Sequence, residues 1–250
     1  MPRDSKADFG TDGFARYARQ IIFPGIGREG QEKIGASHVL VAGIGGLGSL
    51  SSVYLCRAGV GQLTLVDSGR VQVPDLNRQL LYGEKDIGES KVLVAARKLS
   101  EVNSETKVNP VLEEITEDTF RELLSNVNIV VDGTDNYRAR FLMNRVCWKN
   151  RIPFIYGGIF GLKGTAMTIL PGRTPCLECF ITAKDEIASP IPAIGPVVGQ
   201  IASIQALEVL KLILHLGKPL GGELLTFDGS SLTFTKVTIK KREGCSVCGG

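Results

Sequence analysis

Short apolar runs alternate along the chain with longer stretches in which apolar residues recur at helical spacing. Residues 38–42 form such a run, as do GQLTLVD ending in Asp67, residues 107–112, and residues 127–132. The last, VNIVVD, is apolar on both faces and predicts a strand buried on both sides. Between the runs, residues 47–58, 91–102, 117–124 and 137–149 read as helices, the first stopped by Gly59 and Gly61 as a C-terminal glycine cap would stop it. Residues 153–156 and 165–170 add two strands. Ahead of the first strand, residues 14–30 begin with helical spacing and lose it at Pro24 and Gly25, and 31–37 suggest a short helix or turn.

Strand and helix in alternation predict an α/β fold, a Rossmann-like doubly wound sheet with mostly parallel strands. The pattern changes after residue 170. A helix over 201–216 is followed by runs at 224–227 and 232–240 that alternate like antiparallel strands, so a C-terminal antiparallel extension is expected. The implied organisation is a loose tail over 1–13, a nucleotide-binding core over 14–170, and a C-terminal part over 171–250 continuous with it.

Composition narrows the classes. At 250 residues and 43% apolar the chain can bury a substantial core, and 29 basic against 26 acidic residues give a net charge of +3, no basis for nucleic-acid or membrane binding. The most apolar stretch, 191–216, is interrupted by Pro192, Gly195, Pro196, Gln200, Glu208 and Lys211, and reads as a loop and a buried helix. The polar opening, MPRDSKADFGTDGF, has no leader pattern, and a cytoplasmic protein is expected. Four of six cysteines form two Cys-x-x-Cys pairs, Cys176 with Cys179 and Cys245 with Cys248, the spacing of a closed structural zinc site. Cys56 and Cys147 fall in helical patterns and read as small buried hydrophobes, and His38 and His215 as structural.

The chemistry gathers around VLVAGIGGLGS, where a strand runs into Gly43, Gly45, Gly46 and Gly48 and then a helix. Bare backbone N–H groups at such a turn suit a phosphate, and an acid about 20 residues on, Asp67, suits a ribose. A dinucleotide such as NAD(P) or FAD fits that much equally well. Arg78, Gln79, Lys91 and Asp135, all expected at the carboxyl ends of the strands, favour ATP: cations offset phosphate charge and a carboxylate can hold magnesium.

RYARQIIFPGIG, GIGGLGS, LNRQLLYGEKDIGESK, DGTDN and CLEC…CSVC stand in the order found in the MoeB/ThiF/HesA family, which this chain resembles over nearly its whole length. The resemblance implies a homodimeric enzyme that uses Mg-ATP to adenylate the C-terminal Gly-Gly carboxylate of a ubiquitin-like sulfur-carrier protein. It further implies that the glycine turn holds the phosphates, that Asp67 binds the ribose, and that Arg78, Gln79 and Lys91 meet the triphosphate. Asp135 would bind magnesium, Asn77 and Asn136 would belong to the nucleotide site, and Arg19 would reach the neighbouring subunit's ATP. Adenylation of a small-molecule or peptide carboxylate is the alternative.

Two departures from that family stand out. Asp67-Ser68-Gly69 and Pro74-Asp75 replace an Asp-x-Asp and a Ser-Asn, from which Asp75 is expected to stand in part for the missing acid near magnesium. The segment after the first cysteine pair, ITAKDEIASPIPAIGPVVGQ, has no cysteine, so a separate sulfur donor is expected.

Overall fold

The computed structural model describes residues 13–181 and 191–249. Its strands are β1 (His38–Ala42), β2 (Gln62–Val66), β3 (Lys107–Val111), β4 (Ile129–Asp132), β5 (Phe154–Phe160), β6 (Lys163–Ile169), β7 (Glu223–Asp228) and β8 (Thr233–Thr238). They form one sheet in the order β3-β2-β1-β4-β5-β6-β7-β8. From β3 to β5 the pairing is parallel, and from β5 to β8 antiparallel. The doubly wound core and its antiparallel extension are therefore halves of one surface.

Alternation along the strands decides which helices cover which face. Val39, Val41, Leu63, Leu65 and Val131 point to the side packed by α3 (Gly46–Ala58), α4 (Lys91–Val102) and α7 (Gly195–Leu214). Leu40, Ala42, Val66 and Val130 point to the other, covered by α5 (Glu117–Leu123), α6 (Tyr137–Asn150) and the cysteine-bearing turns. All four residues of β4 are buried, as the VNIVVD pattern requires. At one edge β3 tolerates Pro110, which an inner strand would not.

The chain reverses direction across the sheet between β1 and β4: the first connection leads to β2 on one side, a later one to β4 on the other. Ligands of open α/β sheets bind at this switch, beyond the carboxyl ends of the strands.

Some boundaries differ from the sequence expectation. α7 starts at Gly195, six residues before the expected 201, because Pro196 occupies its first turn, where a missing N–H is no loss. A helix α2 (Gly27–Gly35) starts earlier than the turn expected over 31–37, after the short α1 (Ala18–Ile21). β5 runs on through Gly157 and Gly158 to pair with β6 as a hairpin. Residues 71–88 are irregular as expected, but bury Val71, Asp75, Gln79, Tyr82 and Asp86 over the strand ends. The expected tail over 1–13 lies, except for Gly13, outside the described residues.

α7 is long and apolar enough to cross a membrane by length and composition. Here it is a core helix, packed on α3, β5 and β6. Inside that packing Gln205 donates to the carbonyl of Asp132 (2.7 Å) and Glu208 accepts from the N–H of Leu220 (2.6 Å).

Candidate active site

At the switch point two loops interlock through glycine. Gly43 leaves β1 with φ +84°, and the N–H of Gly133, just past β4, donates to the carbonyl of Ala42 (2.7 Å). A Cβ on Gly48 would stand 1.8 Å from the Gly43 carbonyl oxygen, and one on Gly133 2.1 Å from it, so neither position admits a side chain. Gly48 is thus a packing glycine between helix and turn. Gly45 and Gly46 open α3, Gly46 tightly against Val198 of α7, and the helix has no side-chain cap at its N-terminus. Its first N–H groups and the positive end of its dipole are left for a ligand.

Asp67 secures the turn from β2: one oxygen accepts from the N–H of Ile44 (2.7 Å), the other from that of Gly69 (2.6 Å). The Tyr82 hydroxyl donates to the carbonyl of Ile44 (2.8 Å). Burial, together with the nearby Asp67, Asp75 and Asp86, pushes this phenol far up, so it stays a donor.

Beyond Asp67 lies a cationic cluster built on one carboxylate. Asp75, 8% exposed, accepts from the N–H of Gln72 (3.0 Å) and from Gln79 Nε2 (2.7 Å), and pairs with Lys91 Nζ (3.2 Å) and an Arg78 nitrogen (3.7 Å). Lys91 comes from the first residue of α4, the others from the 71–88 segment.

On the opposite side, β4 ends in Asp132, fully buried, which accepts from the N–H and hydroxyl of Thr134 (2.9 and 2.7 Å) and from Arg140 Nε (2.9 Å). Arg140 also donates to the carbonyls of Thr134 and Gly157. Burial opposes its charge, but the adjoining Asp132 carboxylate outweighs that and holds the guanidinium above its usual range. Asn136 caps α6, its Oδ1 accepting from the N–H of Ala139 (2.8 Å). Asp135 between them is exposed and has no hydrogen-bond or ion-pair partner among the described residues.

These elements enclose a cavity of about 720 Å³. Of the residues singled out in the sequence, Gly43, Gly45, Gly46, Asp67, Asp75, Arg78, Gln79, Lys91, Asp135 and Asn136 line it. Gly48, Asn77 and Arg19 are not in its wall; Asn77 accepts from Arg78 (3.1 Å), and Arg19 is exposed on α1. Sequence reasoning missed Arg138 and Arg140, the Glu113–Glu117 lip after β3, and the apolar mouth of Ile159, Ala193 and Val198. A buried strand ending in Asp132 calls for a cation, but α6 carries four, Arg138, Arg140, Arg145 and Lys149, and the sequence does not say which of them pairs with it.

The cavity suits a nucleotide. Gly45 presents bare backbone to it, and the buried Gln79 Oε1 in its wall has no hydrogen-bond partner.

A second cluster lies on the far face. Cys176, Cys179, Cys245 and Cys248 bring four sulfurs within 4.8 Å of one another, with Sγ–Sγ distances of 3.9, 3.6 and 3.3 Å. Zinc–sulfur bonds in a tetrahedron set sulfurs about 3.8 Å apart, so the cluster is the right size for a metal ion. Burial raises all but one of the shifted thiols. At Cys245 the backbone N–H groups of Cys248 and Val247 and the neighbouring thiols outweigh burial and pull the group down to about 6. Asn144 and Arg145 of α6 seat the first turn through the N–H of Leu177 (3.0 Å) and Glu178 (2.8 Å).

The ThiF family model matches residues 17–247. Over 97% of this chain and 99% of its own length, the molybdopterin-synthase adenylyltransferase of Salmonella typhimurium is 35% identical. The sulfur carrier protein adenylyltransferase of Thermus thermophilus is also 35% identical, over 94% of this chain and 90% of its own length. Among solved structures, Escherichia coli MccB with ATP superposes with a TM-score of 0.80 at 27% identity, over 88% of this chain and 68% of that one. With fold, switch-point cavity and cysteine cluster in agreement, the chain belongs to the ThiF family and is an adenylyltransferase.

Proposed function

We propose that this enzyme uses Mg-ATP to adenylate the C-terminal Gly-Gly carboxylate of a ubiquitin-like sulfur-carrier protein of the MoaD/ThiS kind, forming an acyl-adenylate and pyrophosphate. One observation carries the reading: an uncapped helix N-terminus, two cations and an uncommitted carboxylate converge on one cavity. The names of the Salmonella and Thermus relatives support the acceptor class.

In this reading the α3 N-terminus and the glycine turn hold the phosphates and Asp67 uses its remaining lone pairs on the ribose hydroxyls. Arg78 and Lys91 offset charge on the departing pyrophosphate. Asp135 is the aspartate at the strand ends left for magnesium, since Asp67, Asp75 and Asp132 already accept from other groups. Bound there, magnesium would neutralise phosphate charge and orient the triphosphate. The acceptor carboxylate attacks the α-phosphorus and pyrophosphate leaves, so orientation and charge neutralisation suffice without a protein nucleophile. Cys56 and Cys147, both buried, are not available as one, and sulfur would come from a separate donor.

Arg19 completes the reading as a group supplied across a homodimer. It is exposed, lacks a partner among the described residues, and is flanked by Ile22 and Phe23, each 55% exposed. The four cysteines hold structural zinc, and the enzyme works in the cytoplasm.

A second reading keeps the chemistry and changes the acceptor to a peptide or small-molecule carboxylate, in keeping with the likeness to MccB. The family assignment displaces the redox-cofactor alternative. ATP–pyrophosphate exchange with purified protein separates the two that remain. Exchange that requires a Gly-Gly carrier and disappears in Asp135→Ala supports the first; exchange driven by short peptides and by no carrier supports the second.

A further inference from the structure

Asp75 departs from the family's amide and sits among the groups assigned to the triphosphate. A magnesium role for it meets two obstacles. A carboxylate offers about four acceptor positions, and here Gln72 and Gln79 donate to two of them while Lys91 (3.2 Å) and Arg78 (3.7 Å) stand as ion-pair partners beside the rest. A divalent ion at Asp75 would also sit beside two cations.

We infer that Asp75 is instead a resident counter-ion: its carboxylate holds Lys91 in the cavity wall and faces Arg78, itself anchored by the Pro74 carbonyl (2.7 Å) and Asn77 Oδ1, in place of phosphate, and nucleotide entry is an exchange of anions on those two cations. The inference rests on the ATP reading above. Lys91 and Asp75 are both mostly enclosed, with side-chain exposures of 14% and 11%, so the charge pair is poorly screened by water. The carboxylate therefore performs opposed tasks. It keeps Lys91 extended into the cavity and orients Gln79, and it repels the nucleotide it helps to position. Asp75 is a positioning residue whose negative charge weakens ATP binding, most for the most highly charged form.

The test is Asp75→Asn in the full chain, with nucleotide affinity measured calorimetrically for ATP with magnesium, ATP without magnesium, and AMP. The amide keeps the shape and a hydrogen bond to Gln79 but removes the charge. Expected is tighter binding of Mg-ATP by about tenfold, a larger gain for magnesium-free ATP and a smaller one for AMP. Asp75→Ser, also neutral, is expected to follow the same order, and thermal unfolding of both variants shows that the fold survives. A merely structural residue would change the unfolding midpoint without this charge ordering. Unchanged or weaker ATP binding in both folded variants overturns the inference. Weaker Mg-ATP binding with a flattened magnesium dependence overturns it in favour of a metal ligand. Failure of the unsubstituted chain to bind ATP overturns the ATP reading itself, a result distinguishable from the other two.

Discussion

Arg140 Nε donates to Asp132 Oδ2 at 2.9 Å with both side chains almost completely enclosed, the arginine at 5% exposure and the aspartate at 0%. The same guanidinium reaches the carbonyls of Thr134 and Gly157 and lies 5.4 Å from the ring centres of Tyr137 and Tyr156. One cation therefore ties the end of β4, the loop carrying Asp135, and β5 into a rigid wall. Asp132→Ala is expected to cost about 3–5 kcal/mol, because it strands a buried charge. Arg140→Met added to it should recover part of that stability, the fold then lacking the pair but not burying half of one. Chemical unfolding of the two single variants and the double variant gives the coupling directly.

Asp135 is next to that wall and uninvolved in it. Because the side chain has no partner among the described residues, Asp135→Ala should leave the unfolding free energy within about 0.5 kcal/mol of the unsubstituted chain. Pyrophosphate exchange should nevertheless fall by about a hundredfold or more, the loss typical of removing one electrostatic group from a preorganised site. Parallel losses of stability and exchange would place Asp135 in the framework with Asp132.

The contrast between these aspartates shows what the sequence could convey. VNIVVD announced its strand because burial on both faces leaves a continuous apolar run, and the glycines announced their turn because other residues would clash there. Burial of Asp132 and its dependence on Arg140 lie eight residues apart across a strand end and a helix, where no periodicity links them. Asp75 is a similar case: three of its partners, Gln72, Arg78 and Gln79, are close in sequence, but Lys91 comes from the start of α4, and the shared carboxylate appears only when both segments fold over the strand ends. Pro196 misled in the opposite direction, since a proline that ends a helix and one that opens a helix look alike until the first turn is located. The cysteines were legible as one four-sulfur site from the spacing of their two pairs, and the fold brings Cys176 and Cys245, 69 residues apart, together as that reading requires.

For Arg19 the expected signature is catalytic loss without structural loss. Arg19→Ala should lower the turnover of exchange, leave the affinity for ATP nearly unchanged, and leave stability unchanged. Mixing it with Asp135→Ala provides the decisive form. A statistical mixture of a two-fold dimer contains half hybrid molecules, each with one intact site, so about a quarter of full activity should return. If Arg19 acted within its own subunit, the mixture would stay inactive.

Removal of the proposed zinc should act on stability first. The two Cys-x-x-Cys turns fasten residues near the C-terminus to the seat formed by Asn144 and Arg145 on α6, the helix whose other end carries Asn136 and Arg140. A strong chelator, or Cys248→Ser, should release about one zinc per chain. Freeing that closure should lower the unfolding free energy by about 3–5 kcal/mol, the range for opening a covalent loop of similar length. Acidification should also weaken metal retention, because protons compete for the sulfurs that bind the metal as thiolates. The residual exchange activity of metal-free protein, assayed below its new unfolding midpoint, is expected to stay measurable, because none of the cavity-lining residues is a cysteine. Complete loss of exchange in protein that remains folded would instead make the cluster part of the catalytic apparatus.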